Sequence, residues 1–94
     1  KAVYDPIIIP VRNSEGKMQI MFSSEVKGLD IYYTFDGTLP DSFSSRFENN
    51  PVEIPKGASQ IWVTTYRDGK PLGGLLSITV EELANRLPSV KKNI

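Results

Sequence analysis

Apolar positions recur with a period of two through most of this chain, the spacing of half-buried strands. Met18, Ile20 and Phe22 point one way while Gln19 and Met21 point the other. Ile31, Tyr33 and Phe35 share the core face of a strand over 30–35. Ile61, Val63 and Thr65 alternate with Trp62, Thr64 and Tyr66 over 59–66, the strongest strand in the sequence. Residues 3–11 are β-branched but carry Pro6 and Pro10. Proline cannot donate to a ladder, so this segment reads as an edge strand or an incoming arm. A short strand over 51–55 is closed by prolines, and a last strand is predicted over 71–80.

Turn chemistry separates these runs. Asn13-Ser14-Glu15-Gly16, residues 25–28 and Lys56-Gly57-Ala58 read as turns. Arg67-Asp68-Gly69-Lys70 reads as a hairpin, since Asp68-Gly69 supplies the positive φ angles such turns need. Residues 36–50, rich in Gly, Pro, Ser, Asp and Asn, read as a long loop without a strand, pinned to the core by Phe43 and Phe47. After the strands the period changes. Val80, Leu83, Ala84 and Leu87 recur at helical spacing, Thr79 and Glu82 fit a capping box, and Pro88 stops the pattern. This predicts a short amphipathic helix over 81–87, with Leu83 and Leu87 on the sandwich, and a frayed tail over 88–94. Short strands at roughly ten-residue spacing with short connections predict an all-β antiparallel β-sandwich with a short C-terminal helix. It forms a single domain over 1–94 with its core in 3–80.

Composition narrows the function. Ninety-four residues with 11 basic and 11 acidic side chains carry no net charge, so no basic excess exists to neutralise nucleic acid. The chain has no Cys and no His. Disulfides, thiolate metal sites, a cysteine nucleophile and a Ser-His-Asp arrangement are thereby excluded. No cofactor and no metal are expected. The longest apolar run is Ile7-Ile8-Ile9, far short of a membrane span. The first residues lack the apolar segment of a signal peptide, and the chain starts at Lys1 without Met, as expected of a piece of a longer protein.

The most informative stretch is Ile31-Tyr32-Tyr33-Thr34-Phe35-Asp36-Gly37-Thr38-Leu39-Pro40. It resembles the signature of the chitobiase/β-hexosaminidase C-terminal domain, a family closely related to the fibronectin type III-associated modules. That pattern is an aromatic-Thr-x-Asp-Gly core, a Pro three residues after the Gly, a Ser-rich loop, an aromatic and a Pro-led strand. Here these are Tyr33, Thr34, Asp36, Gly37 and Pro40, then Ser42 to Ser45, Phe47 and Pro51. Ile61-Trp62-Val63-Thr64-Thr65-Tyr66 followed by Asp68-Gly69 is similar to the family's alternating strand and Gly turn. The likeness covers about 3–80, and its order and spacing are more specific than any single element. It implies an immunoglobulin/fibronectin III-like fold. It also implies a non-catalytic accessory domain of an exported bacterial family 20 β-N-acetylhexosaminidase, following the catalytic barrel of the same polypeptide. The parent's catalytic Asp-Glu pair belongs to that barrel, and no stretch here matches it.

Two sets of residues are candidates for a role. Thr34, Asp36, Gly37 and Pro40, with Asp68 and Gly69 further on, have the chemistry of structural turns. The functional alternative gives Asp36 or Asp41 a Ca²⁺ ion or a sugar hydroxyl, although Ca²⁺ takes about six or more oxygens and few are at hand. Carboxylate pairs such as Asp36 with Asp41, or Glu81 with Glu82, sit where solvated charge is the usual state, so independent glycoside hydrolysis is not expected. Trp62 and Tyr66 share a strand face, with Arg67 at the strand end. If the opposite face is the core, this row points outward. It can stack on N-acetylhexosamine-containing glycan, bury against a neighbouring domain, or be covered by the N-terminal arm or the C-terminal helix. Three functions therefore stay open: a docking domain, a carbohydrate-binding module and a cell-surface spacer.

Overall fold

A computed structural model describes residues 3–87. The predicted tail over 88–94 lies outside the described residues. Two antiparallel sheets face each other, as the alternation requires. The first contains β1 (Ile7–Arg12), β2 (Met18–Ser23) and β5 (Val52–Glu53), in the order β1-β2-β5. The second contains β3 (Asp30–Thr34), β4 (Ser45–Arg46), β6 (Gln60–Arg67), β7 (Lys70–Pro71) and β8 (Leu76–Thr79). Its order is β4-β3-β6, with both β7 and β8 pairing the far side of β6. The chain is an antiparallel β-sandwich.

The core lies between the two sets of inward side chains. Ile20 and Phe22 from β2 meet Ile31 from β3, Ile61 and Val63 from β6, and Ile78 from β8. Phe22 is the hinge of an aromatic cluster. It stacks on Tyr33 at 5.2 Å between ring centroids and takes Phe47 edge-on at 5.4 Å. Such pairs contribute about 0.5–1.5 kcal/mol each beyond the area they bury.

The edges follow the proline reading. β1 is an edge strand, with Pro10 opposite Ile20. The Asp68-Gly69 turn has φ of 52° and 78°, the two positive angles of a type I′ hairpin. It closes β6 on β7 with Arg67 opposite Lys70.

Four expectations change. The long loop contains a strand after all: β4 pairs with β3, Tyr32 opposite Arg46 and Tyr33 opposite Ser45. Two residues suffice because the Phe47 amide donates to the Ile31 carbonyl at 2.8 Å, anchoring the return. Phe47 is a core anchor, but Phe43 is not: its side chain is 96% exposed. A turn tip formed by Asp41 and Ser44 carries Phe43 away from the core. The last strand is broken between β7 and β8, where the N-terminal arm enters. The helix α1 runs Val80–Asn85, ending two residues before Leu87. Thr79 caps it, its side chain accepting from the Glu82 amide at 3.0 Å. Leu83 is fully buried in the core, and α1 lies against β1 and β8.

The break in the last strand has a specific construction. Thr65 of β6 is fully buried, and its hydroxyl donates to the Tyr4 carbonyl at 2.6 Å. The same oxygen accepts from the Gly73 amide at 2.9 Å, and Asp5 Oδ1 accepts from the Gly74 amide at 2.7 Å. The arm therefore occupies the place that continued strand pairing would have filled. Thr64 and Thr65 are the buried polar side chains among the described residues, and neither is left without a partner.

Candidate functional site

The outward face of the second sheet is aromatic. Register places Thr34 beside Trp62, Tyr32 beside Thr64 and Asp30 beside Tyr66. Period-two alternation puts Trp62, Thr64 and Tyr66 on the face opposite Ile61, Val63 and Thr65. Thr64, at the centre, is only 5% exposed, and its hydroxyl donates to the Gly74 carbonyl at 3.4 Å. Tyr32 and Tyr66 meet on the diagonal, ring centroids 5.2 Å apart and planes at 78°. Trp62, Tyr32 and Tyr66 are each half-buried. Neither α1, which lies against β1 and β8, nor the other sheet, on the opposite face, packs over them.

Charge rims this face on one side. Arg46, opposite Tyr32 in β4, reaches Asp30 Oδ1 at 3.5 Å and Glu48 Oε2 at 3.3 Å. These carboxylates raise the Arg46 pKa, Glu48 more than Asp30. All three side chains are well exposed, so the pairs fix orientation more than they stabilise.

Trp62 and Tyr66 share this face, at opposite ends of β6, and Arg67 does not. Arg67 has the other parity on β6, and its guanidinium sits 5.9 Å from the centre of the Tyr4 ring. It interacts with the arm. Tyr32, which sequence reasoning did not single out, completes the aromatic face. The alternation already put it opposite Ile31 and Tyr33; the missing information was the β3–β6 register.

The Thr34–Pro40 segment forms a stapled turn. Thr34 Oγ1 donates to the Thr38 carbonyl at 2.6 Å. Asp36 Oδ1 accepts from the Thr38 hydroxyl at 2.6 Å and the Thr38 amide at 3.1 Å. Gly37 has φ of 85° and Pro40 is buried beneath the turn. The Thr38 hydroxyl, then its amide, hold the Asp36 carboxyl below the usual range. A depressed carboxylate contributes stability that is present above its unfolded pKa and lost as pH falls through the folded value. Asp36→Ala is therefore expected to narrow the gap between urea midpoints at neutral and strongly acidic pH. An unchanged gap would show that the staple contributes nothing to folding. Tyr33, beneath this turn, shifts in the opposite sense: burial raises its phenol pKa, partly offset by a hydrogen bond with Ser45.

Among the described residues no group of three or more His, Cys, Asp or Glu could hold a metal ion, and no helix is long and apolar enough to cross a membrane.

The described residues form a small antiparallel sandwich of the kind that serves as an accessory domain. The family profile described as Fn3 associated matches residues 20–80, more than half of the chain, and the chain belongs to that fibronectin-III-associated family. No curated protein and no solved structure matches it.

Proposed function

We propose that this domain docks through the outward face of its second sheet on the catalytic domain of a β-N-acetylhexosaminidase-type glycosidase in the same polypeptide, exported to the periplasm or cell surface. The observation that carries the docking is the set of Trp62, Tyr32 and Tyr66 around the buried Thr64, over which neither α1 nor the other sheet packs. Aromatic residues at the centre of a surface, with charge confined to the rim, are the anatomy of a protein interface. The glycosidase parentage rests on the resemblance of Tyr33-Thr34-Phe35-Asp36-Gly37 and the strand 61–66 to the chitobiase C-terminal pattern.

The competing use of this face, as a flat stacking platform for sugar rings, is disfavoured by geometry. Tyr32 and Tyr66 stand at 78° to each other, so they do not offer a common plane. A spacer role would leave the aromatic face in water.

Hydroxyl-radical footprinting with mass spectrometry tests the docking directly. Trp62, Tyr32 and Tyr66 are expected to oxidise several-fold more slowly in the full polypeptide than in the isolated chain. Phe43, at a loop tip outside the strands of this face, should oxidise equally in both. Equal rates at the three aromatic positions would defeat the docking. The coding sequence on the N-terminal side of Lys1 tests the parentage, where a hexosaminidase barrel is expected and any other neighbour overturns it.

A further inference from the structure

Phe43 is the most exposed large apolar side chain among the described residues, at 96%. It is also held in place. Its amide donates to Asp41 Oδ1 at 2.9 Å, the Ser44 amide donates to the Asp41 carbonyl at 3.0 Å, and the Asp41 amide donates to Ser44 Oγ at 2.9 Å. Asp41 and Ser44 thus form a closed turn with the ring at its tip, presented to solvent on a short, ordered backbone. An isolated exposed apolar residue needs no explanation. This one lines an open concavity of about 470 Å³.

The chemistry of that concavity is specific. Besides Phe43 it is lined by Tyr33, Asp36, Thr38, Ser44 and Ser45, and by no lysine or arginine. With no cation to pair with, an anionic ligand is disfavoured. A single carboxylate is too few oxygens for a hard cation. What the lining offers is one free ring face, the second oxygen of the Asp36 carboxylate, and hydroxyls that keep part of their capacity, Thr38 donating to Asp36 and Ser44 accepting from the Asp41 amide. This combination matches a neutral ring compound with apolar C–H faces and a hydroxyl rim. We propose that the concavity under Phe43 binds a pyranose sugar. The ring of Phe43 stacks on the sugar's face, and Asp36 and Ser45 receive its hydroxyls. Neither Trp62 nor Tyr66 lines the site, so its stacking ring, Phe43, is not one of the docking aromatics.

The test is a ¹⁵N-HSQC titration of the chain with cellotriose and with the N-acetylglucosamine trimer, each to about 20 mM, a range suited to single-ring sites of weak affinity. Shifts confined to 33–38 and 41–45 are expected with at least one probe. Phe43→Ala removes a side chain that packs on nothing, so its melting temperature should equal the wild type's. Its dissociation constant should rise about tenfold, as befits loss of a stacked ring. Trp62→Ala should leave the binding constant unchanged. No shifts with either trimer, shifts centred on Tyr32, Trp62 and Tyr66, or an unaltered constant in Phe43→Ala would each overturn the proposal.

Discussion

Replacing Gly73 with alanine is expected to lower the stability of this domain by about 3 kcal/mol, through overpacking and lost hydrogen bonds. For a chain of this size that corresponds to a fall in melting temperature of more than about 10 °C. The reason is space alone, because Gly73 is not among the residues with positive φ. A Cβ there would collide with the Tyr4 carbonyl oxygen and Thr65 Oγ1. One is backbone, and the other is the hydroxyl of a fully buried side chain that also bonds Tyr4. Relieving the clash means expelling the arm, which breaks the Thr65–Tyr4 bond and frees the Asp5–Gly74 bond. Gly74→Ala is the internal control. Its Cβ would meet Asp5 Oδ1 at 2.9 Å, the end of a side chain that can turn aside. Thermal melts of the two variants, with amide exchange measured over residues 4–8, check the expectation. Equal melting temperatures would show that the arm is not seated as described.

The second large effect is at Leu83. Leu83→Ala is expected to cost about 2–5 kcal/mol, the range for truncating a fully buried leucine. Here the loss has a local consequence as well. Helix α1 has six residues, too few to be stable by themselves, and Leu83 is its one buried side chain. Without it, α1 should detach and leave the core open between β1 and β8. Thr79→Ala, which removes only the cap, is expected to cost about 1 kcal/mol. Urea unfolding with far-ultraviolet circular dichroism separates the two. If both variants lost the same small amount, the helix would be an appendage and not a plug.

Much of this architecture was legible in the sequence because alternation is a local signal. The core faces of β2, β3 and β6, the type I′ hairpin at Asp68-Gly69 and the Thr79 cap follow from neighbouring residues. What escaped depends on partners far along the chain. Ser45–Arg46 is a strand only because Tyr32 and Tyr33 pair with it. Leu72 to Leu76 looks like a continuous apolar run. The signal for its interruption was the Gly73-Gly74 pair, but nothing local says that Tyr4 and Asp5 fill the gap. Phe43 and Phe47 are chemically alike and four residues apart, yet one is half-buried in the core and the other stands in water. Composition cannot tell a loop's anchor from its tip. Of the aromatic face, Trp62 and Tyr66 were readable from β6 alone, while Tyr32 needed the cross-strand register.

The free edges of the two sheets carry a consequence for the chain's behaviour at high concentration. β1 bears Pro10 in its interior, while β4 and β5 offer two residues each. A neighbouring copy looking for an unpaired strand to extend therefore finds almost no uninterrupted backbone on these three sides. Strand addition at these three edges is thus disfavoured by geometry, without net charge to keep copies apart, which leaves the four residues of β8 as the remaining long edge.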